Sequence, residues 1–251
     1  MTRIKQLLHI DVSYRCFHRR GVFNLETTTT PSDLVTRERL LEAAEELFID
    51  RGYNHVTVRD ICRAAGANVA AVNYYFRDKL GLYQVVLMKV IACMHEVSKS
   101  AHEAKADVSA EERFRHYVRT FMGHALSNGH VCRAGRLMAR EMADPSPAFD
   151  LIIEKAIRPN SARVAALVSE LTGLPPADPR VGICVGCIQT QITGFTGPVA
   201  ARMVPGGRFT GEIFDFLADQ VVEFSLAGMR AVARKNNGRA ARKCREASER
   251  A

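Results

Sequence analysis

At 251 residues, 47% hydrophobic and 25% charged, the chain has the composition of a soluble folded protein, long enough for one large domain or a small one joined to a larger. Seven cysteines, at positions 16, 62, 93, 132, 184, 187 and 244, lack the regular spacing of a secreted disulfide framework and fit a reducing cytoplasm. The formal charge of +8 and pI near 9.3 suggest a polyanionic partner, yet residues 34–83 carry seven basic and seven acidic side chains, so bulk charge does not locate the contact.

Residues 1–33 have no sustained period and close on Thr27-Thr28-Thr29-Thr30-Pro31-Ser32, the composition of a linker, so a disordered N-terminal extension is expected. The apolar run Leu7-Leu8-His9-Ile10 is too short for a signal-peptide core. From Thr36, Leu40, Leu41, Ala44, Leu47 and Phe48 recur at helical steps while Glu42, Glu45, Glu46 and Asp50 point away, and Arg51-Gly52 ends this first helix. Thr57 followed three residues later by Asp60 has the form of a capping box and predicts a short second helix over Ile61 and Ala64. Gly66 supplies the open backbone of a tight turn, and Asn68 caps a third helix from Val69 to about Tyr75. Asp78 caps a fourth helix through Leu80, Leu82, Val86 and Val90, with no interruption expected before Gly123.

Two short helices meeting at a glycine turn behind a longer one form a DNA-docking geometry, in which the last helix enters the major groove and the first braces on the backbone. Val72 and Phe76, four apart, face inward toward Ile61, Leu40 and Phe48, leaving Val69, Ala70 and Asn73 outward. Asn73 carries the bidentate amide suited to adenine, while Val69 and Ala70 suit thymine methyl groups. Tyr74 and Tyr75 also have a plain alternative as core aromatics, the role assigned to Phe76.

The run from Thr57-Val58-Arg59-Asp60-Ile61 through Gly66 to Lys79, together with the pattern Arg37-x-x-Leu40-Leu41-x-Ala43-Ala44-x-x-Leu47-Phe48, closely resembles the TetR family of repressors. The likeness covers about residues 36–83. It implies that Tyr75 and Lys79 hold phosphates, Lys79 at a helix start where the dipole favours an anion, and that Thr57 and Arg59 approach DNA from the second helix. With Asn68 and Ala71, these complete a DNA-contacting set of Thr57, Arg59, Asn68, Val69, Ala70, Ala71, Asn73, Tyr75 and Lys79. Many family members carry tyrosine where Asn73 stands, which bears on operator sequence. The expected architecture is all-α, with a helix-turn-helix domain over 34–83, a helical domain over 84–235 and a basic tail over 236–251.

Beyond residue 100, helical patterns are separated by Asp144-Pro145-Ser146-Pro147, Gly173-Leu174-Pro175-Pro176 and Pro205-Gly206-Gly207. Residues 181–201 carry no charge but include Gln189, Gln191 and three threonines, which suits a buried helix better than a membrane span. The last helix, from about Thr210 to Arg234, sets Ile213, Leu217, Val221 and Phe224 on one stripe. The segment from Arg136 to Asp150 resembles the C-terminal domain of the CerR (CecR) subgroup, which implies an effector-binding and dimerisation domain over about 90–230. The 181–201 and 210–234 helices, with Gly182 and Gly186 allowing close approach, would pair with a second copy into a four-helix bundle. Phe121, His124, Arg133, Met138, Glu141, Gln189 and Phe195 are suitable pocket residues for an unknown small-molecule effector.

Cys184 and Cys187 share a helix face and offer the alternative of a thiol- or metal-responsive regulator, although no second Cys-x-x-Cys completes a zinc site. Phosphate loops, dinucleotide-binding glycine runs, serine-elbow and zinc-protease motifs are missing, which argues against an enzyme. The expected partners are double-stranded DNA, a second copy and the effector, with no cofactor and no membrane.

Overall fold

The computed structural model describes residues 31–103, 108–127, 130–195, 198–204, 206 and 208–248. The expected N-terminal extension therefore lies outside the described residues over 1–30, as do the side chains from residue 236 onward. In chain order the helices are α1 (Pro31–Arg51), α2 (Val58–Ala65), α3 (Val69–Phe76), α4 (Lys79–His102), α5 (Ala110–Ala125), α6 (Arg133–Ala143), α7 (Phe149–Ile152), α8 (Arg158–Thr172), α9 (Pro179–Phe195), α10 (Pro198–Met203) and α11 (Gly211–Ser248). Two-residue strands, β1 (Leu126–Ser127) and β2 (His130–Val131), pair antiparallel between α5 and α6, and a π-helical turn, Ile153–Ile157, joins α7 to α8. The fold is all-α, as the periodicity implies.

The chain divides into two compact units, Met1–His95 with Cys132–Lys155 and Glu96–Val131 with Ala156–Ala251. Packing thus draws the line elsewhere than the motif-based boundary between residues 83 and 84. In the first unit α1 begins at Pro31, five residues before the onset of apolar periodicity at Thr36. Proline's fixed φ and missing N–H suit a first helical turn, where that donor has no partner in any case. Leu40, Ala44 and Phe48 of α1, Ile61 of α2, Val72 of α3 and Leu82, Tyr83, Val86 and Leu87 of α4 are fully buried, which joins the four helices around one core. Among the described residues α4 is the helix long and apolar enough to cross a membrane by length and composition; 39% of its apolar window is buried, and Leu82, Tyr83, Val86 and Leu87 lie on that buried face.

The uninterrupted helix expected from Asp78 to Gly123 is two helices. The first ends at His102, and Ser109 starts the next with a capping box: its hydroxyl accepts from the Glu112 N–H at 3.2 Å while the Glu112 carboxylate accepts from the Ser109 N–H at 3.0 Å. The same expectation passed over Gly81, which lies in the first turn of α4.

The second unit is a helical bundle with a core of Phe114, Tyr117, Val118 and Met122 from α5, Val164 and Val168 from α8, Val181, Val185, Ile188 and Ile192 from α9, and Ala218, Val221, Val222 and Leu226 from α11. Two expectations are corrected here. The uncharged 181–201 stretch is not one buried helix: α9 ends at Phe195 and only one of its faces is covered, leaving Ile183 65% exposed. On α11 Val221 is buried but Phe224, expected on the same stripe, is 73% exposed, because the buried stripe runs through Ala218, Val222, Ser225 and Met229. The last helix also continues past Arg234 to Ser248.

Candidate nucleic-acid interface

Helices of eight residues are too short to persist alone, so α2 and α3 depend on their ends and on one buried face each. Thr57 caps α2 in extended conformation. Its hydroxyl accepts from the Asp60 N–H at 3.2 Å and donates to the Asp60 carboxylate at 2.6 Å, and that carboxylate accepts from the Thr57 N–H at 3.0 Å. These bonds from the Thr57 hydroxyl and backbone hold the Asp60 carboxyl below the usual carboxylate range. At the other end Gly66, with φ of 59°, and Ala67 return their N–H groups to the carbonyls of Arg63 and Cys62, closing a Schellman turn. Arg39 of α1 donates to the Gly66 carbonyl at 2.9 Å, which ties the turn to the long helix.

Asn68 caps α3, its side-chain oxygen accepting from the Ala71 N–H at 2.8 Å. Val72 and Phe76 are buried, and the Arg37 guanidinium lies 5.4 Å from the centre of the Phe76 ring. The opposite face, Val69, Ala70 and Asn73, is exposed, and Thr57 and Arg59 at the start of α2 are exposed as well.

The junction with α4 is tight. Arg77 takes φ of 72° and ψ of −50°, a region that costs a residue with a Cβ. Asp78 caps α4 by accepting from the Gly81 N–H at 2.7 Å, and a Cβ on Gly81 would stand 2.0 Å from the Phe76 carbonyl oxygen. Only glycine allows the end of α3 to sit this close to the start of α4.

Two residues assigned phosphates by resemblance are engaged within the protein. The Lys79 ammonium donates to the carbonyls of Tyr53 at 2.8 Å and Val56 at 2.9 Å and lies 4.0 Å from the centre of the Tyr53 ring, and burial holds its pKa below the ordinary lysine value. Two of its three donors are thus occupied on the turn between α1 and α2. The Tyr75 hydroxyl donates to Asp33 at 3.0 Å, and burial together with that carboxylate raises its pKa. Tyr74 is the residue that sequence reasoning missed: it is 75% exposed and rests edge-on against Tyr75, centroids 4.9 Å apart. Its signal was present, since Tyr74 follows Ala70 by four residues and so shares its face.

The expected pocket residues fall into both units. Arg133 and Glu141 belong to the first, where Arg133 pairs with Glu45 at 3.0 Å and Glu141 accepts from the Tyr83 hydroxyl at 2.5 Å; Met138 is half-buried there. Phe121, His124, Gln189 and Phe195 belong to the second. Phe121 tilts against Tyr117, burial lowers the His124 pKa, and Gln189 bonds Ser161 at 3.0 Å. A shallow cavity of about 230 Å³ in the second unit is lined instead by Gly123, Leu126, Phe209, Thr210, Gly211 and Phe214. Elsewhere in the second unit, the buried His102 Nε2 lacks a hydrogen-bond partner, and the ring centroid lies 5.0 Å from that of Tyr117. Among the described residues no three His, Cys, Asp or Glu side chains gather where a metal ion could sit.

Comparison with known proteins agrees with this geometry. Residues 40–86 match the family model for bacterial regulatory proteins of the tetR family, and residues 110–229 match that for the C-terminal domain of the HTH-type transcriptional dual regulator CecR. The chain is 26% identical over 167 residues to the dual regulator CecR of Shigella flexneri, covering 63% of this chain and 74% of that protein. It is 40% identical over 52 residues to the HTH-type transcriptional repressor BepR of Brucella suis biovar 1, covering 21% of this chain and 25% of that one. A TetR-like regulator from Rhodococcus sp. RHA1 superposes with a TM-score of 0.57 at 15% identity, over 78% of this chain and 96% of that one. A TetR-family regulator from Streptomyces coelicolor gives 0.56 at 19% identity, over 82% and 91%. The structural likenesses show the fold, and the family matches place a tetR-family segment and a CecR-type C-terminal domain in a single chain. The protein therefore belongs to the tetR family of bacterial regulatory proteins, with a C-terminal domain of the CecR kind, and is a DNA-binding transcriptional regulator rather than an enzyme.

Proposed function

We propose that the chain is a cytoplasmic, ligand-responsive repressor that binds a near-palindromic operator as a homodimer and is released by a small-molecule effector. The carrying observation is the exposed face of α3, on which Val69, Ala70, Asn73 and Tyr74 stand outward while Val72 and Phe76 seat the helix. Asn73 would read an adenine edge, Val69 and Ala70 thymine methyl groups, with Thr57, Arg59, Asn68, Ala71 and Tyr74 along the flanks. Tyr75 and Lys79 act mainly by holding α3 and the 53–56 turn, and the third donor of Lys79 remains for a phosphate.

The dimer reading rests on α9 and α11, which pack together and leave Ile183, Phe216 and Phe224 between 65% and 73% exposed. Such an apolar face suits a second copy, and a Cβ at Gly182, Gly186 or Gly228 would meet nothing within 4 Å. The effector reading rests on the second unit, where His102 lacks a partner for one nitrogen and the polar groups of Ser98, Asn160 and Tyr117 bond to one another, with Arg163 donating to Ser98 at 2.9 Å. Effector binding would favour a dimer whose recognition helices no longer match a spacing of roughly 34–36 Å. The thiol alternative has less support, because burial raises the Cys184 thiol and so disfavours the reactive thiolate.

Fluorescence anisotropy with labelled DNA from around the protein's own gene tests the reading. Specific binding should exceed nonspecific binding by at least about a thousandfold. Asn73→Ala should relax preference at one base pair, whereas Arg59→Ala should weaken all sequences and reduce the salt slope by about one. Equal affinity for the upstream region and unrelated DNA would reject it.

A further inference from the structure

The segment Cys132–Lys155 lies far along the chain from the helix-turn-helix, yet it packs in the same compact unit. Beside the buried Ala134, Leu137 and Ile152, it makes a set of polar contacts there. Arg133, Arg136 and Arg140 of α6 are spaced by three and four residues and so form one row along the helix. They meet the second half of α1 in register. Arg133 pairs with Glu45 at 3.0 Å and approaches Glu46 at 3.9 Å, while Arg136 pairs with Asp50 at 2.6 Å. Arg140 donates to the carbonyls of Ile49, at 2.7 Å, and Asp50, which are among the unpaired carbonyls at the end of α1. One turn further, the Asn54 amide donates to Asp144 at 2.9 Å.

These contacts differ in worth. The Arg136–Asp50 pair is half exposed and screened, so it contributes little. The Glu45 side chain is only 7% exposed, and burial pushes its pKa up while Arg133, and after it Lys89, pull it down, so the carboxylate depends on nearby cations, of which Arg133 is hydrogen-bonded to it. On another face of α6, Glu141, 1% exposed, accepts from the Tyr83 hydroxyl of α4 at 2.5 Å and from the Ser146 hydroxyl at 3.0 Å. The Tyr83 ring packs on Phe48 and on Tyr53, the ring beneath Lys79.

We infer that the arginine row of α6 is a clamp on α1, and that Arg133 and Arg140 are positioning residues for DNA recognition although they touch no DNA. The clamp holds the end of α1 and the 53–56 turn, whose carbonyls anchor Lys79 and so the junction behind α3. The inference rests on the DNA-binding reading of α2 and α3.

Operator affinity and backbone amide exchange, measured on the full-length protein, test it together. Arg133→Gln removes the cation bonded to Glu45 and leaves the buried carboxylate with the more distant Lys89 alone, and Arg140→Ala frees the α1 carbonyls. Each should lower operator affinity by about tenfold and speed exchange across residues 45–56, with the dimer and the exchange of α5, α8 and α9 unchanged. Glu45→Gln combined with Arg133→Gln should recover most of the affinity, because two neutral amides leave no buried charge unpaired. Unchanged exchange over 45–56 overturns the clamp whatever the DNA result. Faster exchange with wild-type affinity, or a double variant as weak as Arg133→Gln, overturns the positioning role. A wild-type protein that prefers no operator rejects the DNA-binding reading itself and the positioning role with it, a result distinct from normal binding by both protein forms.

Discussion

The two compact units are held together by different means. In the second, helices of 15 to 38 residues enclose a continuous apolar core, and their ion pairs, such as Arg119 with Asp215 and Asp219, lie at the half-exposed margin. In the first, two eight-residue helices are fixed by directed bonds at nearly every end: Thr57 on Asp60, Arg39 on Gly66, Asn68 on Ala71, Lys79 on Tyr53 and Val56. Apolar burial is non-directional, whereas a hydrogen bond weakens steeply as its angle departs from linear and so fixes orientation as well as distance. A surface that must match base edges gains from the second kind of fixing, and a surface that must accommodate a partner or ligand gains from the first. Loss of one bond should therefore disturb the first unit locally, and loss of one apolar side chain should weaken the second as a whole.

Phe114→Ala should have the largest effect, about 3–5 kcal/mol in chemical denaturation, since the ring is fully buried in the second core. A cost below about 1 kcal/mol would mean that this unit is not held by its core. Gly81→Ala comes next. The added methyl cannot coexist with the Phe76 carbonyl, so α3 must shift at a cost of about 1–3 kcal/mol. Operator affinity should fall while the second unit melts normally, and full affinity would show that α3 is seated by other means.

Matched capping boxes, one in each unit, give the sharpest test. Thr57→Ala and Ser109→Ala should each cost about 1 kcal/mol, but only the first should weaken DNA binding. The smallest effect is in the pH dependence of these boxes. Hydrogen bonds from Thr57 hold Asp60, and those from Ser109 hold Glu112, below their ordinary pKa values. Each cap should be fully stabilising above the unfolded carboxylate range and should weaken as pH falls through the depressed folded value. Carboxylate titration by NMR should show both depressions, and each should shrink without vanishing in the corresponding alanine variant, because the backbone N–H of residue 57 or 109 still donates; more of it should survive at Glu112, where the backbone bond is the larger cause.

Most of the helix-turn-helix was legible because its signals are local. Thr57 and Asp60 are three residues apart, Asn68 precedes the helix it caps, and Val72 and Phe76 state the buried face by spacing alone. The clamp was not legible: Arg133 and Glu45 are 88 residues apart, and nothing in either neighbourhood marks one as the partner of the other. For the same reason Arg133 and Glu141 read as pocket residues when their charges are already engaged. Lys79 shows a subtler limit, since its place at a helix start suggested an anion while the backbone turn folded beneath it supplies the carbonyls it holds. On α11, periodicity identified a helix but not which of two apolar stripes, that of Val222 or that of Phe224, faces inward.

The close approach of Gly81 to Phe76 also sets where this protein could be cut for chimeras. A recognition helix transplanted as residues 69–76 alone would arrive on a scaffold whose next helix carries a side chain at that point, and its tilt would be reset by the collision. The smallest portable reading module therefore extends from α1 through Gly81, junction included, because Leu40 and Phe48 bury the inner faces of α2 and α3 and the Tyr53 and Val56 carbonyls hold Lys79.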